Sequence, residues 1–300
     1  MKKLLRKISS FLFSRAVIIS GILELRTKYI LKNNIPIAIY FHNPDEELFD
    51  NIVQWFLKKG FKFLPVNDFL NVVQNKTKIK GAAWISFDDG YEENMTNVLP
   101  VLNKYNVPAT FFIPSKSVED GYFWWDFAVD FSKKSKERNL WKIPNSERVE
   151  IISKVNKENA SFPKRAISLK SLKNLASNPL VTIGNHTDDH VICINCSNEE
   201  LSRELQVCEE KLTKWVGDKY VKIFSFTNGD YNERVRCVLR DNNFTASFSN
   251  DPRPVAENED PFLIPRMGVV DNIPFDENLL HAVGIWQPVI NKFKKITGKG

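Results

Sequence analysis

The stretch Trp84-Ile85-Ser86-Phe87-Asp88-Asp89-Gly90 decides how this chain reads. The apolar run Ala82 to Phe87 ends abruptly in two adjacent carboxylates and a glycine. Such a run predicts a buried strand of a parallel sheet. Gly90 lets the chain turn away at once. Side chains alternate along a strand, so neighbouring aspartates at its end serve different purposes. One can face a metal while the other faces what the metal binds. Asp and Gly are also ordinary turn residues, so the stretch by itself fits a plain strand-ending turn equally well.

A second stretch breaks the tie. Gly184-Asn185-His186-Thr187-Asp188-Asp189-His190 follows another apolar run, Leu180 to Ile183. The chain has only four His, and two of them are here. Imidazoles at i and i+4 share a face if the segment turns helically, which suits one divalent ion. With an aspartate from the first stretch they supply a carboxylate and two imidazoles. Positions stay open for water and substrate, as in a catalytic zinc site.

Working outward, apolar runs alternate with helical patterns. Ile35 to Phe41, Phe61 to Leu64, Ala109 to Ile113, Val221 to Phe226, Phe244 to Phe248 and Phe262 to Ile264 read as strands. Between them, Asp45 and Gly60 bracket one helix, and Ser197 with Glu200 forms a capping box that opens another. Helices are also predicted over Glu93 to Tyr105 and Asn278 to Lys295. The alternation predicts a mostly parallel α/β sheet. His42, Asp88, His186, Asn228 and Arg266 each follow a predicted strand. In a parallel barrel, strand C-termini meet at one face, where active sites lie. Residues 115–166 leave this rhythm and read as an insertion; its Trp124-Trp125-Asp126 fits either a sugar-stacking platform or plain packing.

The two motifs resemble those of the polysaccharide deacetylase family, the NodB-like carbohydrate esterases. Ser86 to Gly90 looks like the family's first motif, and His186-Thr187-Asp188-Asp189-His190 like its second, His-Ser/Thr-x-x-His. The likeness runs from about Ile37 to about Val270. It implies a distorted (β/α) barrel, with Asp88 as base and Asp89, His186 and His190 as metal ligands. The family's third motif, Arg-x-Pro-Tyr/Phe-Gly, aligns with Ser225-Phe226-Thr227-Asn228-Gly229, where only the glycine survives. The oxyanion donor would then be the Asn228 N–H. The missing arginine normally orients the base; Arg266 can replace it, or can form a sheet-end salt bridge.

The family's acid usually comes from a Leu-x-His motif near the C-terminus. Leu279-Leu280-His281 matches in letters but falls in a helical pattern. In circularly permuted poly-N-acetylglucosamine deacetylases the acid comes from an early strand in a Tyr-His context, and Tyr40-Phe41-His42 resembles that arrangement. His42 is therefore the expected acid, a structural role being its alternative.

Three hundred residues with 43% hydrophobic content describe an ordinary globular chain. The formal charge of +6 is spread along the sequence, which gives no nucleic-acid signature. Cys193, Cys196, Cys208 and Cys237 form no disulfide framework, and Cys193-x-x-Cys196 lacks a second pair to complete a structural zinc site. Reduced thiols fit a cytoplasmic setting.

Lys2, Lys3, Arg6 and Lys7 precede an apolar region, Ile8 to Leu25, interrupted by Arg15 and Glu24. This predicts a basic amphipathic helix that lies on a membrane surface or packs on its own domain. A signal anchor with export is the competing reading. The expected organisation is an N-terminal helix over 1–32, a catalytic domain over 33–275 with the insertion at 115–166, and a C-terminal helix with a basic tail over 276–300.

The expected activity is metal-dependent removal of N-acetyl groups from an amino sugar in a surface polysaccharide or its precursor. Zinc is the expected ion, and an N-acetylated glycan the expected partner. The alternatives are a catalytically degenerate glycan-binding protein at the membrane and an O-acetyl esterase using the same metal site.

Overall fold

The computed structural model describes residues 2–126, 139–158 and 164–297. The strands in chain order are β1 (Ile37–Phe41), β2 (Lys62–Phe63), β3 (Ala82–Phe87), β4 (Ala109–Ile113), β5 (Val181–Asn185), β6 (Tyr220–Ser225), β7 (Ala246–Ser249), β8 (Ile264–Pro265) and β9 (Met267–Gly268). Two compact units share them. The first comprises Met1–Phe87, Thr96–Thr110 and Asn250–Gly300; the second comprises Asp88–Met95 and Phe111–Ser249.

In the first unit, β1 runs parallel to β3, with Ile37 opposite Ala83 and Phe41 opposite Phe87. β2 pairs in parallel with β3, and β9 with β1. Every residue of β3 is buried, as its unbroken apolar run requires. Helix Glu46–Lys59 covers this sheet. Its start is fixed by the Asp45 carboxylate, which accepts the Leu48 N–H at 2.7 Å, and its end by Gly60 at φ 91°. Phe41 stacks on Phe87 at 5.3 Å, and Phe49 meets both rings edge-on. Burying each such ring contributes roughly 1.5–3 kcal/mol, so this aromatic cluster anchors the unit.

In the second unit, β5, β6 and β7 are parallel neighbours. Helix Asn198–Val216 opens with the reciprocal Ser197–Glu200 capping box and buries Leu201, Leu205, Cys208 and Leu212. Gly184 sits on β5 against the Phe112 ring; a Cβ there would lie 2.6 Å from it. The parts of the insertion at 127–138 and 159–163 lie outside the described residues.

Three predicted helices are each broken in two. The N-terminal pattern gives Lys2–Ile19 and Ile22–Lys32, divided at Gly21 with φ 78°. Glu93 to Tyr105 gives Asn94–Asn97 and Leu99–Tyr105. Pro100 has no N–H to continue the first helix's ladder, so the break follows from the sequence. The C-terminal pattern gives Phe275–Ala282 and Trp286–Thr297, separated by a turn through Gly284 at φ 70°. The last strand expected, Phe262 to Ile264, shifts to β8 at Ile264–Pro265.

The N-terminal helices pack within the first unit. Arg15 pairs with Asp276 at 2.6 Å, Ser10 hydrogen-bonds Glu277, and Phe13 meets Trp286 edge-on at 5.6 Å. Arg26 donates to the Val283 carbonyl at 3.0 Å. Among the described residues no helix is long and apolar enough to cross a membrane.

Replacing Gly184 with Ala forces the Phe112 ring to move in a filled core. We expect a loss of about 1–3 kcal/mol in urea-induced unfolding. An unchanged unfolding midpoint would show that the ring yields freely.

Candidate active site

At the end of β3 the chain reverses over two successive left-handed residues, Asp89 at φ 72° and Gly90 at φ 71°. The Gly90 N–H donates to the Asp88 carbonyl at 3.0 Å, which closes the turn. A Cβ on Gly90 would lie 2.7 Å from the end of the Ile113 side chain, and the left-handed φ would strain any larger residue there. Asp88 and Asp89 are both buried, at 2% and 7% exposure.

Asp89 Oδ1 lies 3.4 Å from His186 Nε2 and 3.2 Å from His190 Nε2. One ligand atom from each of the three residues falls within 4.8 Å of the others, all buried. His186 Nδ1 is 2.9 Å from the Ser225 carbonyl oxygen. A carbonyl only accepts, so the proton sits on Nδ1 and the Nε2 lone pair is free to face a cation. Burial holds the His190 imidazole below its usual pKa, while Asp89 opposes that shift. A carboxylate with two imidazoles is a donor set that suits a divalent ion.

The two histidines do not share a face through a helical turn. Residues 187–190 form a loop with Thr187 at φ 64° and His190 at φ 44°. Its own polar groups hold it open. The Asn185 side chain accepts the Thr187 N–H at 2.9 Å, and Thr187 Oγ1 accepts the Val191 N–H at 3.1 Å. Lys211 pairs with Asp188 at 2.9 Å. The Asp189 N–H donates to Glu204 Oε2 at 2.8 Å. Burial pushes the Glu204 carboxyl up to about 7, against the pull of that hydrogen bond.

The insertion closes the loop from outside. Arg148, 1% exposed, donates from Nη2 to Asp189 Oδ2 at 3.0 Å and to Asn145 Oδ1 at 2.8 Å. Its guanidinium lies 4.4 Å over the Trp124 ring. Trp124 Nε1 donates to the His190 carbonyl at 3.2 Å, and the Trp125 ring stands 4.3 Å from the His190 ring. Trp125 also stacks on Phe123 at 4.4 Å. Of the two readings of this tryptophan pair, the contacts are those of packing.

Asp88 Oδ2 accepts a hydrogen bond from Ser225 Oγ at 3.1 Å. Ser225, the position that the resemblance aligns with the third motif's arginine, thus holds the neighbouring carboxylate itself. Asn228 lies three positions beyond the end of β6 at φ 57°, its side chain turned to Asp230 at 2.6 Å. Its N–H has no backbone acceptor among the described residues, whereas those of Gly229 and Asp230 are taken by turn bonds.

The second unit thus brings together Asp88, Asp89, His186 and His190. His42 and Arg266 belong to the first unit. There, Arg266 is fully buried, donates to Ser86 Oγ at 2.9 Å and Asn250 Oδ1 at 2.7 Å, and lies 4.6 Å over the Tyr40 ring. The His42 ring meets Tyr40 edge-on at 5.6 Å. His281 sits inside helix Phe275–Ala282 with its ring 5.2 Å from Trp286, and burial pushes it down to about 4. Its place inside a helix, away from any strand end, does not favour the Leu-x-His match as the acid. Cys193 and Cys196 are buried free thiols, both pushed up by burial, Cys193 to about 11. Neither belongs to the ligand cluster.

The model of the polysaccharide deacetylase family matches residues 75–247, more than half of the chain. The chain belongs to the polysaccharide deacetylase family.

This polysaccharide deacetylase is 24% identical over 251 residues to the poly-β-1,6-N-acetyl-D-glucosamine N-deacetylase of Staphylococcus aureus, which covers 78% of this chain and 73% of that one. Its fold is similar to the Streptococcus pyogenes deacetylase PplD, solved with acetate, at TM-score 0.60 and 16% identity over 83% of this chain and 97% of that one. It is equally similar to IcaB from Ammonifex degensii, at TM-score 0.60 and 14% identity over 84% and 97%. The fold is therefore the distorted (β/α) barrel of the NodB type. The enzyme class follows from the family: a hydrolase of non-peptide carbon–nitrogen bonds.

Sequence reasoning missed Ser225, Glu204 and Arg148. Ser225 was readable only as a lost arginine. Arg148 lies 41 residues before its partner Asp189, in a segment whose charges look solvated. Removing it while keeping its bulk, Arg148→Met, leaves the half-buried Asp189 without this cation. We expect about a tenfold loss of divalent-ion affinity in chelator-competition titration. Unchanged affinity would show that the loop holds its shape without the insertion.

Proposed function

We propose that this deacetylase removes N-acetyl groups from an amino sugar in a surface polysaccharide or its precursor, using a divalent ion held by Asp89, His186 and His190. The observation that carries the reading is one buried carboxylate oxygen facing two imidazole nitrogens, beside a second buried carboxylate. The family places the activity among deacetylases, and the staphylococcal relative's name supports a poly-N-acetylglucosamine substrate. Zinc suits two nitrogens and one oxygen with positions left open. When bound, the ion would supply Lewis acidity at the acetyl carbonyl and a lowered pKa for water.

The chain's own groups supply the rest. Asp88 takes the proton of the attacking water, with Ser225 Oγ fixing which oxygen is free to do so. The Asn228 N–H donates to the oxygen that gains charge as the carbonyl becomes tetrahedral. It is a backbone donor, so no particular side chain is required there. The leaving amine needs a proton, and the resemblance assigns that to His42. Arg266 takes the base-orienting role of the missing third-motif arginine. Both assignments rest on the family likeness and on their following strands in the sequence.

The two N-terminal helices hold the enzyme against a membrane surface, where precursors of surface polymers are assembled. The free thiols support a cytoplasmic location. Recovery of the native protein outside the cytoplasm in cell fractionation would count against it.

Two activity measurements test the chemistry. Asp88→Asn should lower acetate release from N-acetylglucosamine oligomers by about 10²–10⁴-fold while the protein still binds one metal ion. Chelation should abolish the native activity and zinc should restore it; full activity in Asp88→Asn would remove Asp88 as the base. In a paired experiment, His42→Gln should lose about 10²-fold or more in kcat, whereas His281→Gln retains kcat. The reverse pattern would transfer the acid's role to His281.

A further inference from the structure

Helix Ile22–Lys32 turns an apolar stripe outward. Ile22, Leu25 and Tyr29 are 47%, 68% and 53% exposed, at spacings of three and four residues that align them. On the preceding helix, Leu12 and Ile19 are 61% and 82% exposed, seven residues apart. A helix packed on its domain normally shows water a polar face. Here the buried face, with Leu23, Thr27 and Ile30, is already occupied, so these residues are surplus to the first unit's core.

Lysines border the stripe. Lys28 and Lys32 flank it on the same helix and join Lys59, Lys62 and Lys80 around one open concavity. These five residues come from three separate segments, so no charge run in the sequence announces them. Two glycines bring them together. Gly60, at φ 91°, closes helix Glu46–Lys59 directly after Lys59. Gly81 directly follows Lys80, and a Cβ on it would lie 2.7 Å from the Gly60 carbonyl oxygen. The Lys62 N–H donates to the Gly81 carbonyl at 2.8 Å. The two lysine–glycine corners therefore pack backbone to backbone, and their side chains have to share one side.

Glu24 neutralises part of this charge, pairing with Lys59 and, at 3.7 Å, with Lys28. Lys32, Lys62 and Lys80 are exposed and have no acidic partner among the described residues. Gathering like charges is unfavourable unless something anionic complements them. Apolar residues left in water beside the lysines add a second demand. A bilayer with anionic headgroups meets both, offering phosphates to the ammonium groups and the upper acyl region to Leu25, Ile22 and Tyr29.

We propose that the first unit docks on an anionic lipid bilayer through this surface, with the lysine cradle taking headgroup phosphates. The proposal rests on the membrane reading above and adds the lipid class and the residues that select it. Sedimentation of the full chain with phosphatidylcholine vesicles, with and without phosphatidylglycerol, tests it. We expect partition into the anionic vesicles alone, weakened by salt. The triple variant Lys32→Ala, Lys62→Ala, Lys80→Ala should lose roughly a hundredfold in partition, at about fivefold per lysine. Its circular dichroism and its acetate release from a soluble oligomer should match the native enzyme's. Ile22→Ser with Leu25→Ser should weaken partition while leaving its salt dependence in place. Equal partition of the native chain and the triple variant would overturn the cradle but keep the membrane reading. Sedimentation with neither kind of vesicle would overturn both.

Discussion

A single buried oxygen, Asp89 Oδ1, faces two imidazole nitrogens at 3.2 and 3.4 Å. Burying a carboxylate is expensive unless a cation or a set of donors compensates it. His186, with its proton on Nδ1, turns its Nε2 lone pair toward that oxygen. A positive ion held between the members of the cluster, as proposed above, would meet the requirement of compensating the buried charge. The surrounding structure serves that requirement. The Ser225 carbonyl fixes the His186 tautomer, two left-handed residues swing Asp89 off the end of β3, and the insertion grips the loop that carries His190.

That grip explains why a charged, irregular-looking insertion sits in this chain. Arg148, Trp124 and Trp125 come from residues that look solvated or merely aromatic in sequence, yet each touches His190 or its neighbour. The long helix Asn198–Val216 holds the same loop from another direction through Glu204 and Lys211. The site therefore has two independent supports for one ligand, and its precision comes from side chains far apart in sequence.

The proposed ligands were legible in the sequence. Asp88-Asp89-Gly90 and His186-x-x-x-His190 combine, after two separate strands, residue types that suit a metal or catalytic role, and the structure brings Asp89, His186 and His190 together. Their conformation was not legible. The i, i+4 spacing would align the imidazoles only in a helical turn, whereas Thr187 and His190 take left-handed φ and the Val191 N–H goes to Thr187 Oγ1. Short polar side chains compete with helix in this way, and their reach depends on neighbours that a single sequence does not show. The alternation of strands and helices along the chain was readable from periodicity, since buried parallel strands leave unbroken apolar runs. Helix breaks at Gly21, Pro100 and Gly284 were each marked by a residue suited to breaking a helix, but the apolar period ran across them and masked the stop. The third motif illustrates the converse: its arginine is gone, yet the replacement, Ser225, reaches Asp88 with a shorter side chain.

The central claim is that Asp89, His186 and His190 share one ion. X-ray absorption at the zinc edge of the loaded enzyme tests it most directly. The account predicts one ion per chain, bound by two imidazole nitrogens and carboxylate or water oxygen at about 2.0–2.2 Å. Sulfur scattering at about 2.3 Å would place the ion on the cysteines instead and contradict the account.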